Sequence, residues 1–270
     1  MAGTKMSFLD LGRIDADEGY FIRGCGAGTY SNPNPEATVR RVAVMATVIE
    51  HPKAGPLLFE TGCATNAREE WPTEAWEAFP VTVYEEEHHL DKALEAAGYG
   101  VSDIRGVIMG HLHLDHAGGL ELFRGTDVPI YVHEKELKEA WYAVATKEDI
   151  GAYVPGDLDW RLNWQAISRE ETELFDGLIL RNMPGHTPGL MTAQVDLQNS
   201  GTFFLTSDLF HVRDLFEQGL PQGWLARNAH DWWRSYKWIK QLQQKTDATM
   251  VYGHDAEVLE ELQAQAKFFD

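Results

Sequence analysis

The chain has 270 residues, 44% of them hydrophobic and 24% charged, which supplies a sizeable core and rules out a disordered polymer. Asp and Glu outnumber Lys and Arg by 42 to 23, for a formal net charge of −19, and a surface of that sign repels phosphate backbones and anionic headgroups. Neither nucleic acid nor a membrane is therefore an expected partner, and no apolar run approaches the roughly 18 residues of a membrane span.

Short apolar runs predict the strands. In chain order the first are Val42–Ile49 and Pro56–Phe59. Cys25 and Cys63 flank them and, being too few for a disulfide framework, are expected as buried thiols. Leu90, Ala93, Leu94 and Ala97 recur at helical spacing and predict a helix over Glu85–Ala97. Strands follow at Ile104–Met109, Pro129–Val132, Leu178–Met183, Met191–Asp196 and Thr202–Leu205, the last two joined by a hairpin turn at Asn199-Ser200-Gly201. Trp232, Tyr236 and Ile239 predict a helix over Asp231–Leu242, and a strand follows at Thr249–Tyr252. A last helix carries Val258, Leu259, Leu262 and Ala266, with Asp255 placed to cap it. This mixture, without a Pro- or Ser-rich linker, predicts one α/β domain over 1–270. The opening residues, Met1 to Met6, lack the apolar stretch of a secretory leader, so a cytoplasmic protein is expected.

Two stretches fit this pattern poorly. Residues 64–82, with Trp71, Trp76 and Phe79, and residues 141–172, with Trp141, Tyr142, Tyr153, Trp160 and Trp164, are aromatic-rich and weakly periodic. They read as active-site insertions, at about 64–99 and 141–172, whose aromatics wall a pocket for a small apolar or aromatic cyclic substrate.

The chemistry concentrates after the strand that ends at Gly110, where His111, His113, Asp115 and His116 crowd into six positions. Histidines two apart in an extended loop project to one side and reach one cation. Asp115 and His116 turn the other way and reach a second. Gly118 and Gly119 then permit close backbone packing. Imidazole nitrogen and carboxylate oxygen suit Zn²⁺ and similar first-row ions, and the lack of thiolates opposes a structural cysteine site. Three more ligand-type residues close strands elsewhere: His186 in Pro184-Gly185-His186-Thr187-Pro188-Gly189, Asp208 after Ser207, and His254 after Gly253. Donors at several strand ends can converge along one edge of a sheet.

His-x-His-x-Asp-His, Pro-Gly-His-Thr-Pro-Gly, Ser-Asp and Gly-His, in that order, resemble the ligand set of the metallo-β-lactamase superfamily over Pro56 to His254. Within it, Gly-His-Leu-His-Leu-Asp-His-Ala-Gly-Gly is most similar to the N-acyl homoserine lactone lactonases. The resemblance implies an αβ/βα sandwich, two mixed sheets packed face to face with helices outside. It implies two divalent metal ions, zinc first, with iron, manganese and cobalt as alternatives. His111, His113 and His186 would hold one ion; Asp115, His116 and His254 the other; Asp208 would bridge them. It further implies opening of a cyclic ester by a hydroxide shared between the metals, with Asp115 or Asp208 moving the proton.

One position departs. The lactonases place a tyrosine three residues after the bridging aspartate as oxyanion donor, and this chain has His211 there. Imidazole can also protonate nitrogen, so a γ-lactam-type amide is the alternative substrate. Glu60 stands where many relatives have Asp and is expected to orient a ligand histidine. A glyoxalase-II-like thioesterase uses the same ligands, but no basic cluster follows His254. A non-catalytic metal-binding module would be expected to lack a ligand. The oligomeric state stays open, with a homodimer one option.

Overall fold

The computed structural model describes residues 3–148 and 152–270, so residues 149–151 of the second aromatic-rich stretch lie outside the described residues. Its strands are β1 (Lys5–Asp17), β2 (Val39–His51), β3 (Gly55–Phe59), β4 (Val81–Val83), β5 (Gly106–Ile108), β6 (Pro129–His133), β7 (Asn163–Ile167), β8 (Glu171–Phe175), β9 (Leu178–Asn182), β10 (Met191–Leu197), β11 (Gly201–Leu205) and β12 (Thr249–Val251). They form two mixed sheets. The first runs β4-β1-β2-β3-β5-β6-β7, antiparallel from β4 to β3 and parallel from β3 to β7. The second runs β12-β11-β10-β9-β8, with only β11 and β12 parallel.

The apolar runs of the sequence become the buried interior of these sheets: Leu58, Val107, Ile108, Ile130, Ala193, Val195 and Phe204 are all fully enclosed. At one edge the sheets are tied directly, Met191 N donating to Gly110 O at 2.7 Å. The predicted hairpin forms, with Leu197 paired to Gly201. Asp255 caps the last helix, Ala256–Gln265, its side chain accepting from Val258 N. The helix expected at 231–242 spans Ala229–Thr246, capped by Asn228.

Elsewhere the structure corrects the reading. The long strand β1, paired along β2 and broken by a register shift between Asp10 and Arg13, had no clear signal. Glu85–Ala97 is a 3₁₀ turn, Glu86–His88, followed by the helix Leu90–Ala97. Residues 64–82 fold into two short helices, Ala67–Glu70 and Thr73–Ala78, leading to β4. The unpredicted helix Glu134–Thr146 covers the start of the 141–172 stretch. Among the described residues, no helix is long and apolar enough to cross a membrane.

Candidate metal centre

Four strand ends supply the donors. β5 leads into His111 and His113, β9 into His186, β11 into Asp208 and β12 into His254, all at C-terminal ends along one edge of the two sheets. The sequence-predicted residues His111, His113, Asp115, His116, His186, Asp208, His211 and His254 all converge there. All are buried except Asp115, which is partly exposed.

Close backbone approach makes this convergence possible. A Cβ on Gly118 would fall 1.9 Å from Ala64 N, so only glycine lets the chain turn after His116 against the segment that follows β3. Glu60 and Ser207, both beside the centre, hold left-handed φ values of 64° and 46°, a strain that tends to be kept where function needs the position.

The donors fall into two groups. His111, His113 and His186 present nitrogens within 4.8 Å of one another, as do the ligand atoms of Asp115, His116 and His254. Asp208 lies between the groups. Its Oδ2 is 3.4 Å from His186 Nε2 and 3.7 Å from His111 Nε2, while its Oδ1 is 3.1 Å from His254 Nε2 and 3.3 Å from His116 Nε2. A carboxylate with one oxygen toward each group is the arrangement two neighbouring cations require.

The ring nitrogens support the same reading. His254 Nδ1 donates to Ala43 O at 2.7 Å, so Nε2 is the nitrogen turned to the centre, 3.1 Å from Asp208 Oδ1. Ser207 Oγ donates to Glu60 Oε1 at 2.7 Å and so accepts from His111 Nδ1 at 3.2 Å, which leaves Nε2 bare. His111 Nε2 and Asp208 Oδ1 are buried without a hydrogen-bond partner. Ring nitrogens face each other at 2.9 Å between His113 and His186 and at 3.1 Å between His116 and His254. Tetrahedral metal–nitrogen bonds of roughly 2.0–2.1 Å put ligand atoms about 3.3 Å apart, so these residues fit a divalent cation in each group.

Burial pushes the imidazoles of His111, His113 and His186 well below their ordinary range, so they stay neutral as ligation requires. For His116, burial opposes the charge, but the carboxylates of Asp208, Asp115 and Glu60 outweigh it and raise the group well above its usual value. Asp208 is held well below the carboxylate range: burial would raise it, and His254, His116, His211 and His111 together prevail.

Supporting residues complete the centre. Glu60 Oε1 lies 3.5 Å from His116 Nδ1 without a hydrogen bond to it, and accepts from Ser207 Oγ instead. Glu136, fully buried, was not found from the sequence. It accepts from Leu112 N at 3.1 Å, Tyr153 Oη at 3.1 Å and Thr187 Oγ1 at 2.5 Å, and so ties together both histidine loops and the segment before β7. Its one sequence signal is its place on the buried stripe Glu136, Ala140, Ala143. His211 Nε2 lies 3.1 Å from Asp208 Oδ2, at the cavity wall.

A cavity of about 210 Å³ opens over the centre, and its apolar wall includes Ile14, Phe21, Val42, Phe79, Leu114 and Leu225. The expected aromatic wall is thus largely corrected. Phe79 lines the cavity and Tyr153 packs on His113 at 4.8 Å, but Trp71 is core, and Trp141, Tyr142 and Trp160 face outward. The wall is mainly aliphatic: β1 and β2 give Ile14 and Val42, and the helix Thr73–Ala78 turns alanines, Ala75 and Ala78, toward the cavity.

Residues 39–254 match the model of the Metallo-beta-lactamase superfamily. The N-acyl homoserine lactonase AiiB of Agrobacterium fabrum is 29% identical over 267 residues, covering 94% of this chain and 95% of that protein. The AttM lactonase of the same organism is 29% identical over 82% of this chain and 85% of its own length. Among solved structures, a variant of Bacillus thuringiensis AiiA with N-decanoyl-L-homoserine at its active site superposes with a TM-score of 0.80, at 25% identity and 95% coverage of both chains. An N-acyl homoserine lactone hydrolase with N-hexanoyl-L-homoserine at its catalytic metal centre gives 0.79, at 26% identity and 95% coverage of both.

Proposed function

Because the chain belongs to the metallo-β-lactamase superfamily, we propose that it is a two-metal hydrolase that opens a cyclic ester, a lactone of the N-acyl homoserine type. The observation that carries this reading is Asp208, one carboxylate oxygen directed at each of two histidine groups. The relatives named as N-acyl homoserine lactonases, which span nearly the whole chain, favour the lactone.

His111, His113 and His186 would hold one cation, Asp115, His116 and His254 the other, with Asp208 shared. Zinc suits this nitrogen–oxygen donor set, and iron, manganese and cobalt share the preference. Bound there, the two cations supply a water ionised near neutral pH and a Lewis acid for the ring carbonyl.

The chain's own residues do the rest. The apolar wall from Ile14 to Leu225 binds the hydrocarbon part of the substrate and excludes water. His211 Nε2–H, at the wall, donates a hydrogen bond to the carbonyl oxygen as negative charge develops on it. Asp115, the one partly exposed donor, takes up the proton that the attacking water gives off and passes it to the leaving ring oxygen, whereas Asp208 is buried among four histidines. One observation favours a second reading: an imidazole at position 211 can also protonate a leaving nitrogen, which suits a γ-lactam.

The test is turnover by the purified, metal-loaded chain on acyl homoserine lactones, simple lactones, bicyclic γ-lactams and thioesters. Acyl homoserine lactones should give the highest kcat/KM. A preference for γ-lactams would move the assignment to the second reading, and turnover of none of them would remove the hydrolase assignment for these substrates.

A further inference from the structure

We propose that Gln222 is a positioning residue that fixes the tautomer of His211, so that the ring turns its Nε2–H to the cavity as a donor and does not serve as an eighth metal ligand. The inference rests on the donor role given to His211 above.

Gln222 is fully buried and sits in an isolated bridge with Ile22. Its neighbours lock it there: Arg23 N donates to Pro221 O at 3.0 Å, and Gly223 N donates to Phe21 O at 3.0 Å. The side-chain amide donates to the carbonyl oxygens of Asp208 and of Leu209, the latter at 3.1 Å. Both partners can only accept. Turning the amide over would set Oε1 against two carbonyl oxygens, so its orientation follows from its partners.

The nitrogen of that amide therefore faces His211 Nδ1, 3.4 Å away. An amide NH₂ has no lone pair to offer. A proton on Nδ1 would point donor at donor, so of the two tautomers the one with its proton on Nε2 fits these surroundings. That atom is buried on a residue lining the cavity; Asp208 Oδ2 lies 3.1 Å from it, but not in line for a hydrogen bond, so the N–H is not taken up within the protein. Phe21 packs against the ring at 5.4 Å and helps to hold its plane.

The competing role is ligation. His186, Asp208 and His211 do bring donor atoms within 4.8 Å of one another, which proximity alone would read as a metal group. Ligation through Nε2 would move the proton to Nδ1, the nitrogen that faces the Gln222 amide. Gln222 thus separates two roles that distance does not.

The test uses the zinc-loaded full chain labelled with ¹⁵N-histidine, the His211 signals being assigned against His211→Asn. The expected result is a proton on Nε2 of His211 in the wild type and a rise in the Nδ1–H form in Gln222→Met. That variant should keep two metals per chain and lose about 10- to 100-fold in kcat with KM within about twofold. In the cobalt-substituted protein, His211→Asn should leave the ligand-field absorption unchanged. A wild-type proton on Nδ1, a cobalt spectrum that changes with His211→Asn, or an unchanged tautomer in Gln222→Met would each overturn the proposal. The wild-type tautomer and the cobalt spectrum hold their force even where Gln222→Met does not fold. Full turnover by His211→Asn, alongside the expected tautomer, would defeat the donor role alone.

Discussion

Asp208 carries one oxygen to each half of the site, so its substitution should act on both halves together. Asp208→Asn keeps the shape and removes the charge that faces His186, His111, His254 and His116. Metal analysis after gel filtration should find fewer than two ions per chain, and two tightly held ions would contradict a bridging role. His211→Ala should behave differently. Losing a donor to a developing oxyanion costs about 10²–10³ in kcat, with metal content unchanged, and an unaltered kcat would remove His211 from the reaction. At this scale the ligand-type residues were legible in the sequence because few side chains can bind a cation and their spacing showed it. Gln222 and Glu136 were not, because their roles depend on what they face across the fold: the 207–211 turn for one, two histidine loops for the other.

Elements matter here as the means of bringing loops together. The helix Glu134–Thr146 delivers one carboxylate to Leu112, between two candidate ligands, and to Thr187, next to a third. Glu136→Leu would leave those donors and the Tyr153 hydroxyl unpaired. Each buried unpaired group costs about 1–3 kcal/mol, so thermal denaturation should shift to clearly lower temperature and metal should be lost first from the His111, His113 and His186 group. A Tm within a degree or so of wild type would show that the tie is dispensable. That helix escaped the sequence reading because its buried stripe is Glu136, Ala140 and Ala143, with no large apolar residue. Strand β1 escaped for a related reason: Asp10, Gly12 and Arg13 interrupt its apolar run where its register with β2 shifts. The strands that carry ligands were legible, since each is a short apolar run with a ligand-type residue or a glycine within three positions of its end. The aromatic stretches misled because apolar side chains report burial or exposure only once a partner surface exists. Trp71 found the core; Trp160 did not.

The whole molecule carries a net charge of −19, and Asp157 is buried with the charge of Arg124 too weak to offset its loss of solvent. Both oxygens of Asp157 lack a hydrogen-bond partner, and burial, helped by nearby Glu70, pushes its carboxyl from 3.8 up to about 8. Between roughly pH 4 and pH 8 the native state keeps this proton while the unfolded chain has lost it, so the group's contribution to stability falls as pH rises. Asp157→Asn removes the effect. Urea unfolding at fixed metal loading should find the variant gaining on wild type across that window, by up to about 1.4 kcal/mol per pH unit. A constant difference would place the ionised carboxylate in a better environment than its surroundings indicate. The central claim concerns the other buried charges, the donors gathered at four strand ends. Anomalous diffraction from crystals of the metal-loaded chain tests it most directly. The account predicts two ions, one bonded to His111, His113 and His186, the other to Asp115, His116 and His254, with Asp208 touching both. A map in which a single ion, or none, lies among these side chains would contradict it.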